Sequence, residues 1–164
     1  MNAAFRLALR DVLITLGTLV AWALSLRLAQ GSAAAIALAC LAGLMAVLVG
    51  FLAHEWGHYL GARAARATVY LAQDLHSPFL FRFDSRRNSR TQFLWMSMGG
   101  FIASAAIVAL YLLVLPRERL GGLVALGLTV LGVIATAILE LPPAWRVWRG
   151  GEIPSVGAVY DSPM

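Results

Sequence analysis

The 164-residue sequence contains no lysine, only one cysteine and few charged residues of either sign. Each shortage removes a class of protein. A lone cysteine, Cys40, cannot make an intramolecular disulfide framework, and its place inside an apolar stretch marks it as a small packing residue rather than a redox or metal-binding thiol. Charged residues make up 13% of the chain, against about 25% for an ordinary soluble domain. The missing lysine leaves all thirteen basic side chains as arginine, a bias that points, with the abundant Ala and Leu, to a GC-rich bacterial genome. What is present instead is apolar: 60% hydrophobic residues and a mean hydropathy of +0.78. They come in long blocks rather than at the spacing of a soluble core, so the expected solvent is lipid.

The formal charge of +5 and the pI of about 10.3 suggest nucleic acid at first sight. The arginines, however, lie in short segments beside the apolar blocks, where they set membrane topology. No nucleic-acid partner is expected; the lipid bilayer is.

A spanning helix needs about 20 residues, and the blocks divide into four spans at roughly 12–29, 33–60, 93–115 and 120–140. The fold class expected is an all-α integral membrane protein, a single membrane domain over residues 1–164 with no internal repeat. Gln30-Gly31-Ser32 makes the tight turn between the first two spans, and Pro142-Pro143 ends the fourth. A signal peptide is the alternative for the first span. Its apolar stretch exceeds the about 7–15 residues of a signal core, and the next span follows at once, so a retained helix is expected.

With four spans, the N-terminus, the 61–92 loop and the 141–164 tail share one side. That side holds ten arginines, among them Arg6, Arg10, Arg86, Arg87 and Arg146; the other holds Arg27, Arg117 and Arg119. The imbalance predicts that both termini are cytoplasmic, in a bacterial inner membrane. Within the loop, Phe79, Phe81 and Phe83 alternate with Leu80, Arg82 and Asp84, the pattern of a strand with an aromatic face. With Ser85-Arg86-Arg87-Asn88-Ser89 as a turn, it predicts a short β-hairpin-like segment on the membrane surface. That segment is either a membrane-hugging loop or a strand edge able to pair with an extended peptide.

Chemistry concentrates in His54-Glu55-Trp56-Gly57-His58. Two histidines four apart project from one helix face and can chelate one metal ion. Glu55, one position on from His54, is placed to act as general base toward a water activated at such an ion. Ionisable residues at membrane depth are costly and usually functional; the alternative is a pair of histidines that only hydrogen-bond to neighbouring helices. A catalytic zinc site has three protein ligands and one open position. The candidates for the third are Glu140, His76 and Asp74. Glu140 is preferred because it sits at a span end on the histidines' side, although pairing with Arg146 or Arg149 would also account for it. Gly43, Gly50 and Gly57 share a stripe, with Gly61 on a related face, and Gly99, Gly100 and Ser104 form a matching small patch in the third span; both suit close helix packing.

His54-Glu55-Trp56-Gly57-His58 followed by Tyr59-Leu60-Gly61-Ala62-Arg63 resembles the motif helix of the site-2 protease family of intramembrane zinc metalloproteases. The resemblance covers roughly residues 33–150, and only the histidine motif is specific. It implies a three-helix core: a motif helix, a helix with a small-residue patch, and a helix bringing an Asp ligand. The second element here reads Ser97-Met98-Gly99-Gly100-Phe101-Ile102-Ala103-Ser104, without the family's Pro and Asn. In the third, Leu141-Pro142-Pro143 is followed by Ala144-Trp145-Arg146 where the Asp would fall, so Glu140 would substitute from one turn earlier.

The function expected is a minimal or divergent zinc-dependent intramembrane endopeptidase. Zn2+ would be held by His54, His58 and Glu140, Glu55 would be the base, and the substrate would be a membrane-spanning or membrane-anchored polypeptide. The alternative is a catalytically inactive metal-binding or helix-binding protein. A transporter or channel subunit fits less well, since the spans carry few polar residues in their middles.

Overall fold

In a computed structural model, which describes residues 2–29, 31–154 and 159–160, four helices are long and apolar enough to cross a membrane. They are α1 (Ala3–Arg27), α2 (Ala33–Ala64), α3 (Arg90–Val114) and α4 (Leu120–Trp148). Most large apolar side chains on them face outward, among them Leu113, Leu139 and Ile138. That arrangement is stable only where the surroundings are themselves apolar.

The helix starts are set by polar side chains. Asn2, Ser32 and Ser89 each accept from a backbone N–H three residues on, satisfying donors that the first turn leaves free. At Ser89 the partner Gln92 reaches back to the Ser89 N–H, which completes a capping box. The Gln92 amide also donates to the carbonyls of Ala65 and Arg66, pinning the end of α2 to the start of α3. α1 begins earlier than the sequence suggests, so Arg6 and Arg10 are helical rather than part of a basic lead-in.

The larger difference is at the other end. The sequence places the stop of the fourth span at Pro142-Pro143, yet both prolines lie inside α4, which continues to Trp148. A helix-interior proline costs about 3 kcal/mol in water. Burial of Val147, 1% exposed and packed with Leu7, Ala62 and Phe83, returns about 1.5–3 kcal/mol. In apolar surroundings the alternative is worse, because each backbone group left without a partner costs several kcal/mol. Helix therefore wins.

The loop folds into a small sheet. β1 (Val69–Leu71) pairs antiparallel with β2 (Phe81–Asp84), in the register Val69 to Phe83 and Leu71 to Phe81. β3 (Val159–Tyr160) adds a parallel strand to the free side of β2. Phe81 and Phe83 point into the core and Phe79 falls outside the strand. Ser85-Arg86-Arg87 does not close the hairpin. Asp84 accepts from the N–H groups of Arg86 and Arg87 there, and the turn leads into α3. The hairpin closes through residues 72–80 instead. Of the tail expected at 141–164, residues 141–148 belong to α4, and 155–158 and 161–164 lie outside the described residues.

α2 contributes 32 residues, roughly 48 Å at about 1.5 Å per residue, well beyond a hydrocarbon core of about 30 Å. It is the central helix and packs against α1, α3 and α4. Its contact with α3 is backbone on backbone. A Cβ on Gly99 would strike the Gly57 carbonyl, and one on Gly61 would strike that of Trp95. Gly99→Ala is therefore expected to destabilise the protein by about 1–3 kcal/mol, read as a lower thermal-unfolding midpoint in detergent. Gly127→Ala, where an added Cβ meets nothing within 4 Å, leaves the midpoint unchanged or slightly raised.

Candidate metal centre

His54 and His58 sit one helical turn apart on the face of α2 turned to α3 and α4, with ring centroids 4.3 Å apart. α3 fixes both rings from behind. The His58 Nδ1 lies 2.9 Å from the Met96 carbonyl oxygen. The His54 Nδ1 lies 3.1 Å from the Gly100 carbonyl oxygen and 2.8 Å from Ser104 Oγ. Met96, Gly100 and Ser104 are spaced by four, so they line one stripe of α3. A carbonyl oxygen only accepts, so each Nδ1 carries its proton and donates, which in the neutral ring leaves a lone pair on each Nε2.

Those two Nε2 atoms face each other at 2.9 Å. The third group is Glu140 of α4, whose Oε1 is 3.2 Å from the His54 Nε2 and whose Oε2 is 3.2 Å from the His58 Nε2. Oε2 is buried and has no aligned hydrogen-bond donor. Lone pairs and carboxylate oxygens thus converge from two helices on one point, within 4.8 Å of one another. Acceptors gathered in this way repel unless a cation lies among them. The triad can hold a metal ion, and the carbonyl bonds behind the rings supply the outer-shell orientation that metal-binding histidines use.

Space for the rings is as specific as their bonds. A Cβ on Gly100 would occupy the place of the His58 imidazole. The small patch seen in the sequence is therefore part of the site as well as of the packing.

Glu55, between the two histidines in sequence, is 5% exposed, and its Oε2 accepts from the Leu80 N–H at 3.0 Å. Leu80, itself buried, ends the 72–80 segment immediately before β2. Asp74 and His76 lie on the same segment, are 71% and 96% exposed, and pair with each other at 3.1 Å rather than joining the histidines. The backbone N–H of His76, and then its ring, hold the Asp74 carboxyl below its usual pKa.

α1 supplies residues that sequence reasoning passed over. Asp11 is buried, accepts from Trp56 Nε1 at 2.7 Å and meets Arg10 Nε at 2.6 Å. Arg10 in turn donates to the Leu75 carbonyl at 2.7 Å. Two neighbouring side chains of α1 thereby tie the motif helix to the segment that reaches Glu55. Asp11 stands just before the expected first span, and only the earlier start of α1 brings it inside a helix beside Trp56.

Comparison with models of protein families, with curated proteins and with solved structures finds no match to this chain.

Gly100→Ala is expected to displace the His58 ring and weaken divalent-metal binding. Ser104→Ala, which removes one partner of His54, is expected to weaken it by about 10–100-fold. Both are read by equilibrium metal titration of the purified protein.

Proposed function

We propose that the chain is a zinc-dependent intramembrane endopeptidase, similar to the site-2 protease family, that hydrolyses peptide bonds of membrane-spanning or membrane-anchored polypeptides. The observation that carries this reading is the convergence of His54 Nε2, His58 Nε2 and the Glu140 carboxylate, with Glu55 held one position along α2. A two-histidine, one-carboxylate set is typical of catalytic zinc. Around one zinc at about 2.0–2.1 Å, tetrahedral ligands stand roughly 3.3 Å apart. The histidine–glutamate separations of 3.2 Å, each to a different carboxylate oxygen, and the 2.9 Å between the histidines are near this spacing. Glu140 would take the part of the family's Asp from one turn earlier in the helix.

When bound, zinc supplies Lewis acidity, which makes water ionise near neutral pH and polarises the scissile carbonyl. The chain does the rest. His54 and His58 are held in one tautomer by α3, so ligand geometry is fixed before substrate arrives. Glu55 takes the proton from the attacking water and delivers it to the leaving nitrogen as the carbon–nitrogen bond breaks. Its Oε2 accepts from the Leu80 N–H, which leaves Oε1 for that proton.

The arginine distribution supports a metal centre near the cytoplasmic side of a bacterial inner membrane, with the N-terminus cytoplasmic. The Leu80 contact also favours a second reading, a metal-binding membrane protein in which Glu55 stays engaged and no bond is cut.

Purified protein is expected to carry stoichiometric zinc, lost in His58→Ala and in Glu140→Ala; absence of zinc from the wild type would refute the enzyme reading. Glu55→Gln should keep the zinc and lower cleavage of single-span membrane substrates by about 10²–10⁴-fold. No cleavage by zinc-loaded wild type supports the non-catalytic reading, and equal cleavage by wild type and Glu55→Gln overturns Glu55 as the base.

A further inference from the structure

A cavity of about 80 Å³ lies against His54, between α2, α3 and α4. Small-molecule sites occupy about 300–1,000 Å³, so its occupant is a side chain or a few waters, not a metabolite. Phe51, Ile107 and Val133 give it apolar walls, and His54, Ser104, Thr129 and Thr136 bring polar groups to it. The Ser104 hydroxyl is engaged by His54. Thr129 is different: it is 4% exposed, and its Oγ1 is buried with no hydrogen-bond partner. A threonine within a helix ordinarily bonds its hydroxyl to the carbonyl one turn back, as Thr15 and Thr18 do in α1. An unpaired hydroxyl in apolar surroundings is costly, so Thr129 holds bonding capacity that the protein itself leaves unused.

From these observations, and resting on the endopeptidase reading, we infer that this cavity is a specificity pocket for one substrate side chain beside the scissile bond, small and hydroxyl-bearing, as in Ser or Thr. Three features converge on this: contact with a metal-ligand histidine, a volume too small for a large aliphatic or aromatic group, and the unpartnered Thr129 hydroxyl among the polar lining groups. The substrate class so defined is a membrane-spanning segment with a serine or threonine near its cleavage point.

The pocket can be filled without touching the metal triad. A Cβ on Gly132 meets no atom within 4 Å, and one on Gly50 makes only ordinary contacts, 3.6 Å from Thr129 Cγ2. The test uses zinc-loaded full-length protein and a panel of synthetic single-span peptides in detergent micelles, with cut sites read by mass spectrometry. Residues flanking the cut are then varied through Ala, Ser, Thr, Leu and Phe.

For wild type, kcat/KM is expected to be at least tenfold higher with Ser or Thr at one flanking position than with Leu or Phe. Gly132→Val, with Gly50→Ala as a second filling variant, should restrict that position to Ala or Ser with zinc content unchanged. Thr129→Val should abolish the preference for Ser over Ala while keeping the size limit. If the wild type cleaves but these variants leave the preference unchanged, the pocket is overturned and the endopeptidase reading stands. If Thr129→Val slows all peptides alike, the cavity holds water and the pocket is again overturned. Wild type that cleaves no peptide in the panel overturns both.

Discussion

Where Gly57, Gly61 and Gly99 remove the side chains, α2 and α3 meet backbone to backbone, and the His54, His58 and Glu140 triad depends on that short separation. Only at this distance can imidazoles rooted on α2 reach the carbonyls of Met96 and Gly100 on α3. Those bonds settle which ring nitrogen carries the proton, and with it the direction of the lone pairs. Glu140 then arrives from a third helix that packs on the same pair. Helix packing, ring tautomer and ligand geometry are thus successive consequences of one close approach. Association of helices in lipid depends on such contacts, because the hydrophobic effect gives no preference for helix over lipid tail.

The metal-site end of the bundle is built differently from the rest. Its core is aromatic and sheet-covered, with Phe81, Phe83 and Phe93 packed beside Leu7 and Val147. Its polar groups are few, and each is tied to a distant part of the chain: Asp11 to Trp56, Glu55 to Leu80, Asn88 to both backbone groups of Thr68. Buried polar groups in a low-dielectric setting are tolerable only when satisfied. These bonds therefore hold the hairpin in one position over the motif helix, which a loop of three and four-residue strands could not manage alone.

Much of this was legible in the sequence, and the limits are physical. Four apolar blocks and the His54-Glu55-Trp56-Gly57-His58 spacing read directly, because helix periodicity maps them onto faces without tertiary knowledge. Glu140 could be ranked above His76 and Asp74 from its place at a span end, and the fold brings it to both histidines. The end of α4 could not be read, since Pro142 and Pro143 break helices in water and the penalty for stopping inside an apolar medium is a property of the surroundings. The strand through Phe81 and Phe83 is visible in its alternation, but the polar run after it reads as a hairpin turn when it is the lead-in to α3. Ser89-x-x-Gln92 is a capping signal that the polar composition of the turn obscures. Asp11 escapes a local reading because its partner lies 45 residues away, and no nearby pattern announces such a contact.

The single bond between the Leu80 N–H and Glu55 couples two things usually treated separately, occupancy of a buried site and the position of a surface hairpin. Coupling of this kind is reciprocal. Whatever competes for the Glu55 oxygen loosens the hairpin, and whatever grips the hairpin from outside changes how readily Glu55 is released, by the same factor. Arg10 and Asp11 of α1 brace the same segment from the other side, through the Leu75 carbonyl and Trp56.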